Sequence, residues 1–327
     1  MKILLTGGNG FIGGYVLRFL IEKELHVNVL VRDSSKLIKL NNYFINVYKG
    51  DINDCDSVNK AIEGCNIVIH LAAFVSSSIK NADFYKSNIQ GTKNLLKAAE
   101  QNKVKRFIFA SSLSAHSFQN HQIINENSLV DREKYFSQYA ESKAKAEKLV
   151  EEYSKRGISY IIIYPTRVFG IGSLTDANGA AKAISLYLKN KLPFLIDHGQ
   201  QFASWVYVED VAKGIISAAL SNISNERFIL GGENRTLAEV YRMVDNISDK
   251  NHLKIILRFK TALFIASLLE LLARITRKPP LITREWLSFV LESQKVSSRK
   301  AIEKLNYEIT PLNKSLKITI GWLQSLQ

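Results

Sequence analysis

Tyr139 and Lys143 stand four residues apart in the stretch Tyr139-Ala-Glu-Ser-Lys143. On a helix, positions i and i+4 share one face. A nearby ammonium favours a phenolate, so Lys143 can draw the tyrosine pKa down from about 10 toward the operating range. A tyrosine so tuned gives or takes a proton at an alcohol or carbonyl oxygen. Upstream, FASSLSAH (109–116) closes an apolar run with Ser111 and Ser112. Ser112 can hydrogen-bond the same oxygen and hold it while a hydride moves. Lys143 can also reach the ribose of a nicotinamide cofactor. The same spacing describes an ordinary solvated helix face, so the reading depends on what the rest of the chain builds around these residues.

The amino terminus supplies the context. In MKILLTGGNGFIGGYVLRFL (1–20) the run Ile3-Leu4-Leu5 has no alternation, which suits a strand covered on both faces. Gly7, Gly10 and Gly13 follow at three-residue spacing, and Phe11, Ile12, Val16, Leu17 and Leu20 then mark an apolar helical face. A helix N-terminus with glycines before it presents free N–H groups to a phosphate. Gly7 permits the tight turn, Gly10 a close approach to a pyrophosphate, and Gly13 close packing of helix on sheet. The spacing is GxxGxxG rather than the familiar GxGxxG, so the dinucleotide rule is only partly met.

Strand-like and helix-like segments alternate through the first half. The strands read as 26–32, 43–51, 65–73, 104–112 and 157–165, with helices over 88–103 and 137–155. Repeated β-α units with right-handed crossovers predict an α/β fold, a Rossmann-type doubly wound parallel sheet. After residue 170 the rhythm changes. Helix 177–190, a strand joined to a helix over 202–220, a strand at 226–232 and a helix from Thr236 are expected. Thr236 and Glu239 have the spacing of a capping box. These segments predict a dinucleotide-binding domain from 1–170 plus about 201–232. A smaller, mostly helical substrate lobe is expected from about 171–200 plus 233–327, with the substrate in the cleft between them.

The chain has 327 residues and a net charge of +14, with lysine and arginine scattered rather than clustered. That pattern argues against nucleic acid and favours anionic small molecules. Cys55 and Cys65 make neither a disulfide framework nor a metal cluster, and the six histidines lack metal-ligand spacing. No metal is expected. TALFIASLLELLARI (261–275) is short of the roughly 20 apolar residues a span requires and is interrupted by Glu270. It is expected to bury against the protein rather than touch a membrane. With a strand starting at residue 2 there is no room for a signal peptide, so a cytoplasmic protein is expected.

Taken together, TGGNGFIGG (6–14), GDI (50–52), HLAA (70–73), SNIQGTKNLLKAA (87–99), FASS (109–112), YAESK (139–143), YPTRVFG (164–170) and WVYVEDVA (205–212) resemble an extended short-chain dehydrogenase/reductase. The resemblance is to the NAD(P)-dependent epimerase/dehydratase group. It implies Ser112, Tyr139 and Lys143 as the catalytic set. It further implies cofactor contacts from Gly7, Gly10, Phe11, Ile12 and Gly13, and from Asp51 and Ile52 at the adenine. Leu71, Ala72 and Ala73 would run beside the cofactor, Asn88 would steady that loop, and Pro165, Thr166 and Val168 would lie by the nicotinamide. Members often pair as homodimers through two helices per subunit, here about 84–101 and 137–155.

Three chemistries remain open within that resemblance. The acidic pair that dehydratases carry beside the serine is replaced by Leu113 and Ser114, which argues against dehydration. Sugar-nucleotide epimerases often hold the diphosphate with an asparagine after strand six. Arg167 stands there instead, either to pair with a phosphate or to brace the loop. The apolar character of 174–188 and 261–275 tilts the expectation to a reductase of ketones and secondary alcohols, close to dihydroflavonol-reductase-like and hydroxysteroid-dehydrogenase-like members. The alternatives are a nucleotide-sugar epimerase with tightly bound NAD and a non-catalytic cofactor-binding regulator. At the end of the second strand, where NAD-preferring enzymes place an acid for the ribose, this chain has Arg32, with Asp33 next. A guanidinium can fork onto a 2′-phosphate, with Lys36 or Lys39 helping. NADP(H) is therefore expected over NAD(H).

Overall fold

Ile3, Leu4 and Leu5 are fully buried because β1 (Lys2–Thr6) is covered on both faces. In the computed structural model, which describes residues 1–37, 43–75, 84–118, 123–131, 133–135, 137–191, 193–276, 283–284, 287 and 295–326, this strand lies inside a parallel sheet. It runs into α1 (Phe11–Glu22), followed by β2 (His26–Val31), β3 (Ile45–Lys49), α2 (Cys55–Ile62) and β4 (Ile67–His70). A π-helical turn, Tyr85–Gln90, leads into α3 (Gly91–Gln101), and β5 (Arg106–Ala110) comes next. Two short antiparallel strands, β6 (His116–Phe118) and β7 (Leu129–Asp131), precede α4 (Gln138–Ser154), β8 (Ser159–Pro165) and β9 (Arg167–Phe169).

The second half contains α5 (Gly179–Leu188), β10 (Phe194–Ile196), β11 (Phe202–Tyr207), α6 (Val208–Leu220), β12 (Glu226–Leu230) and β13 (Glu233–Thr236). Then come α7 (Leu237–Ser248), β14 (Ile255–Leu257), α8 (Phe259–Thr276), α9 (Arg299–Leu305) and α10 (Leu312–Ser325). Thr236 caps α7 as expected: its hydroxyl accepts from Glu239 N at 3.2 Å and its N–H donates to Glu239 Oε2 at 2.7 Å.

The main sheet has seven strands in the order β12-β8-β5-β4-β1-β2-β3, all parallel. The order reverses at β1, with β2 on one side and β4 on the other, and ligands bind at such a switch point. Successive residues of β1 face opposite sides. Ile3 and Leu5 pack with Val16, Leu20, Ile215 and Ala301, whereas Leu4 packs with Val68, Leu95, Ala146 and Val150. A third cluster joins Phe169, Tyr187, Trp205, Tyr241 and Leu316 beyond the sheet's carboxyl edge. The chain then returns, because Leu305 and Tyr307 pack into the same cluster as Ile3.

Helix α8 departs from the expected burial on one side. Ala262 and Ala266 pack with Ile196 and Leu287, but Phe264 is 70% exposed and Leu268, Leu271 and Leu272 are exposed with it. Residues i, i+4, i+7 and i+8 form one stripe, and the helix turns Ala262 and Ala266, with Leu263 and Leu269 partly buried beside them, toward the protein. Among the described residues no helix is long and apolar enough to cross a membrane.

Candidate active site

The glycine turn closes tightly. Gly10 N donates to Gly7 O at 2.9 Å, and Gly7 adopts φ +77°, a conformation that side chains with a Cβ resist. A Cβ on Gly13 would lie 1.9 Å from the Gly7 oxygen, and one on Gly7 would lie 2.6 Å from Ala72 N. Helix α1 begins at Gly10 with no side-chain cap and no acid in its first turn. Its first N–H groups thus keep room and charge for an anion, and these residues fit the pyrophosphate of a dinucleotide.

From this turn a cavity of about 420 Å³ runs along the sheet's carboxyl edge. Gly7, Gly10, Phe11, Ile12 and Gly13 line one end, and Leu71 and Ala73 one wall. Ser112, Tyr139 and Lys143 meet Pro165, Thr166 and Val168 at the other end. Residues separated by more than a hundred positions in the chain therefore share one space. Asp176, Val75 and Ser137 also line it, and nothing in their sequence context singled them out.

The remaining expected contacts lie outside this lining. Asp51 accepts from Asn53 N and Nδ2 at 2.9 and 2.8 Å, and Ile52 packs under α3 beside Gly91. Ala72 N donates to Thr6 Oγ1 at 3.3 Å. Asn88 is buried and clamps the loop after β4: its Oδ1 accepts from Phe74 N at 2.7 Å and its Nδ2 donates to Phe74 O at 3.1 Å. Arg32 is exposed. Asp33 accepts from Ser35 N and Oγ at 3.0 and 2.6 Å, and its carbonyl accepts from Asn9 Nδ2 at 3.3 Å. Lys39 and the Lys36 side chain lie outside the described residues.

Ser137 caps α4 by accepting from Ala140 N at 3.1 Å, which fixes where Tyr139 begins its turn. Ser112 hydrogen-bonds Tyr139, but burial outweighs this and pushes the phenol up to about 12. This corrects the expectation that Lys143 draws it down. The Lys143 ammonium instead donates to Ala110 O at 2.6 Å and lies 4.8 Å from the Phe109 ring centroid. Burial brings Lys143 down to about 8, and the negative charge of Glu147 opposes that shift.

Behind Lys143 lies a buried polar group that the sequence reading missed. Glu147 accepts from Ser111 Oγ, from His116 Nε2 at 2.8 Å and from Tyr164 OH at 2.9 Å. The available signal was its position, four residues beyond Lys143 on the same helix face. His70 is also buried, bridging Thr6 Oγ1 at 2.7 Å and Thr92 Oγ1 at 3.0 Å. Burial first, and the Lys143 charge second, bring its pKa down to about 3, so it is neutral.

A second, smaller cavity of about 60 Å³ shares Ser112, Ser114, Pro165 and Thr166 with the first. Arg167 opens onto it, stacked 5.0 Å from the Trp205 ring centroid. Burial lowers its pKa to about 10, which leaves it charged at neutral pH.

The profile of the NAD dependent epimerase/dehydratase family matches residues 3–231. The chain belongs to this family. It is an NAD(P)-dependent enzyme of the extended short-chain dehydrogenase/reductase type. It is 27% identical to a protein of Synechocystis sp. provisionally named dihydroflavonol 4-reductase, covering 98% of this chain and 94% of that protein. It is 31% identical to a protein of Methanocaldococcus jannaschii provisionally named UDP-glucose 4-epimerase, over 74% of this chain and 81% of that one. The UDP-glucose 4-epimerase of Thermus thermophilus, solved with NAD, superposes with a TM-score of 0.78 at 21% identity, covering 100% of both chains.

That structure and several others similar to this chain hold NAD. The finding corrects the expected preference for NADP(H). The expectation rested on Arg32, which points into solvent at the end of β2, next to an acid of the kind that accepts ribose hydroxyls.

Proposed function

We propose that the protein epimerises a sugar nucleotide at a secondary alcohol carbon with NAD held in the larger cavity. The observation that carries this reading is the shared space in which Ser112, Tyr139 and Lys143 face the glycine turn, with the Arg167 guanidinium just beyond Ser112. The chemistry NAD supplies when bound is reversible uptake of a hydride. Gly7, Gly10 and Gly13 would hold its pyrophosphate, and Asp33 the adenosine ribose. Tyr139 takes the hydroxyl proton as the sugar carbon is oxidised and returns it on reduction. Ser112 donates to the same oxygen and fixes its distance from Tyr139. Lys143, through its bond to Ala110 O, holds the strand end that carries Ser112 and lends positive charge to the cavity wall. Inversion requires only that the keto sugar present its other face before the hydride returns to its carbon, after which Tyr139 gives the proton back to the oxygen. A diphosphate is the anion that suits Arg167, and the absence of an acidic pair at Leu113 and Ser114 disfavours elimination.

The alternative, reduction of a ketone, is favoured by the apolar side chains Leu113, Phe202 and Val296 around the smaller cavity. One experiment separates them. The protein is incubated with NAD and a panel of UDP-sugars, and in parallel with NADH and a panel of ketones. The expected result is a 4-epimer resolved by chromatography and NMR with no net change in NADH. NADH-dependent loss of a ketone, with every UDP-sugar unchanged, would replace the epimerase reading by the reductase one. We further propose a homodimer formed through α3 and α4, which pack side by side in the subunit.

A further inference from the structure

Glu147 is 2% exposed, and Lys143, one helical turn earlier on α4, is 3% exposed. Two opposite charges are thus buried on one face of a helix, at a spacing where side chains are neighbours. A buried charge persists only where partners compensate for lost water. Lys143 has a carbonyl, Ala110 O, and an aromatic face, Phe109, but no carboxylate within ion-pair distance appears among its described contacts. Glu147 has three donors, Ser111 Oγ, His116 Nε2 and Tyr164 OH, an acceptor-only pattern that matches an ionised carboxylate. The His116 proton is then on Nε2, and its Nδ1, which is buried without a partner, is a bare lone pair rather than a stranded N–H.

The two ends of this arrangement converge on one loop. Lys143 holds Ala110 by its carbonyl, and Glu147 holds Ser111 by its hydroxyl. The next residue is Ser112, which hydrogen-bonds Tyr139. Helix α4 thereby grips the end of β5 at two successive residues, from two successive turns.

We infer that Glu147 is a positioning residue for the proposed proton transfer: its buried carboxylate keeps the Lys143 ammonium charged and fixes the Ala110–Ser112 loop against α4. The inference rests on the catalytic reading of Tyr139 and Lys143, but its test does not need a substrate. The other groups around the pair are accounted for. Tyr139 lines the same cavity as Lys143, and His70 on β4 feels the Lys143 charge and is neutral. On the far side, Arg227 on β12 pairs with Glu151, one turn beyond Glu147 on α4. Asp131 on β7 pairs with Lys148. Glu147 is the carboxylate whose charge acts on Lys143.

The experiment is an NMR titration of the protein labelled with 13C at the lysine ε-carbon, with the Lys143 signal assigned by its loss in Lys143→Arg. In Glu147→Gln the titration midpoint of Lys143 is expected to fall by about one pH unit, the effect of removing a buried opposite charge one helical turn away. In Glu147→Asp, which keeps the charge, it should stay near the wild-type value. If Glu147→Gln does not fold, Glu147→Met serves, since it fills similar volume without a buried amide. An unchanged midpoint in the Gln or Met variant overturns the proposal. A shifted midpoint in a protein that turns over no UDP-sugar would leave it standing and count against the epimerase reading alone.

Discussion

Asn88 Nδ2 donates to Ser142 Oγ at 2.9 Å, joining the turn before α3 to the helix that carries Tyr139 and Lys143. Ser142 in turn donates to Tyr139 O at 2.8 Å. With its two bonds to Phe74, Asn88 ties the loop after β4 to the proposed catalytic helix through one buried amide.

Replacing Asn88 by Ala should strand the Phe74 N–H and carbonyl and leave the Ser142 hydroxyl with its bond to Tyr139 O alone. We expect a loss of about 2–3 kcal/mol in unfolding free energy, since leaving buried polar groups unsatisfied costs more than the net worth of each bond. NAD affinity should fall as well, because the loop beside the cavity is released. Denaturant unfolding and calorimetric titration measure the two effects. A variant as stable as wild type would show that water replaces the amide.

Tyr139→Phe removes the hydroxyl but keeps the ring, which meets Phe84 edge-on at a centroid distance of 6.4 Å. Turnover should drop by roughly 10²–10⁴, the usual contribution of a positioned proton donor. The dissociation constant for NAD should change little. Wild-type turnover in this variant would remove Tyr139 from the mechanism.

His70 sets a pH dependence of stability. Its folded pKa is brought down to about 3, against about 6.5 in an unfolded chain. Between these values the unfolded state binds the extra proton, so stability rises with pH and is lost as pH falls from about 6.5 toward 3. The full span corresponds to no more than about 4–5 kcal/mol. His70→Gln should give a shallower decline over that window, by the slope of one proton. Parallel slopes in wild type and variant would show that His70 is protonated in the folded protein.

Cofactor choice should follow Asp33 rather than Arg32. NAD is expected to bind more tightly than NADP. Asp33→Ala should weaken NAD by about tenfold, the value of one charge-assisted hydrogen bond. Arg32→Ala should leave NAD binding within about twofold, as befits an exposed side chain. Isothermal titration of both cofactors decides it, and NADP binding that collapses only in Arg32→Ala would reverse the assignment.

The sequence by itself determined the parallel sheet, because unbroken apolar runs such as Ile3–Leu5 and Ile161–Ile163 can be satisfied only under two covering layers. It also determined the glycine turn, where the lack of a side chain is itself the signal. Capping at Thr236 was legible for the same reason: it depends on residues three apart. The electrostatics were not legible. Lys143 was read as the tuner of Tyr139 from i,i+4 spacing, but the strand beneath the helix offers the Ala110 carbonyl, and the ammonium goes there. Glu147 looked like one more acid on a charged helix until β5, β6 and β8 placed Ser111, His116 and Tyr164 around it. Arg32 and Asp33 are adjacent in sequence, and only the fold decides which of them looks out to solvent. Burial sets the strength of every charge, and burial is a property of what distant segments bring together.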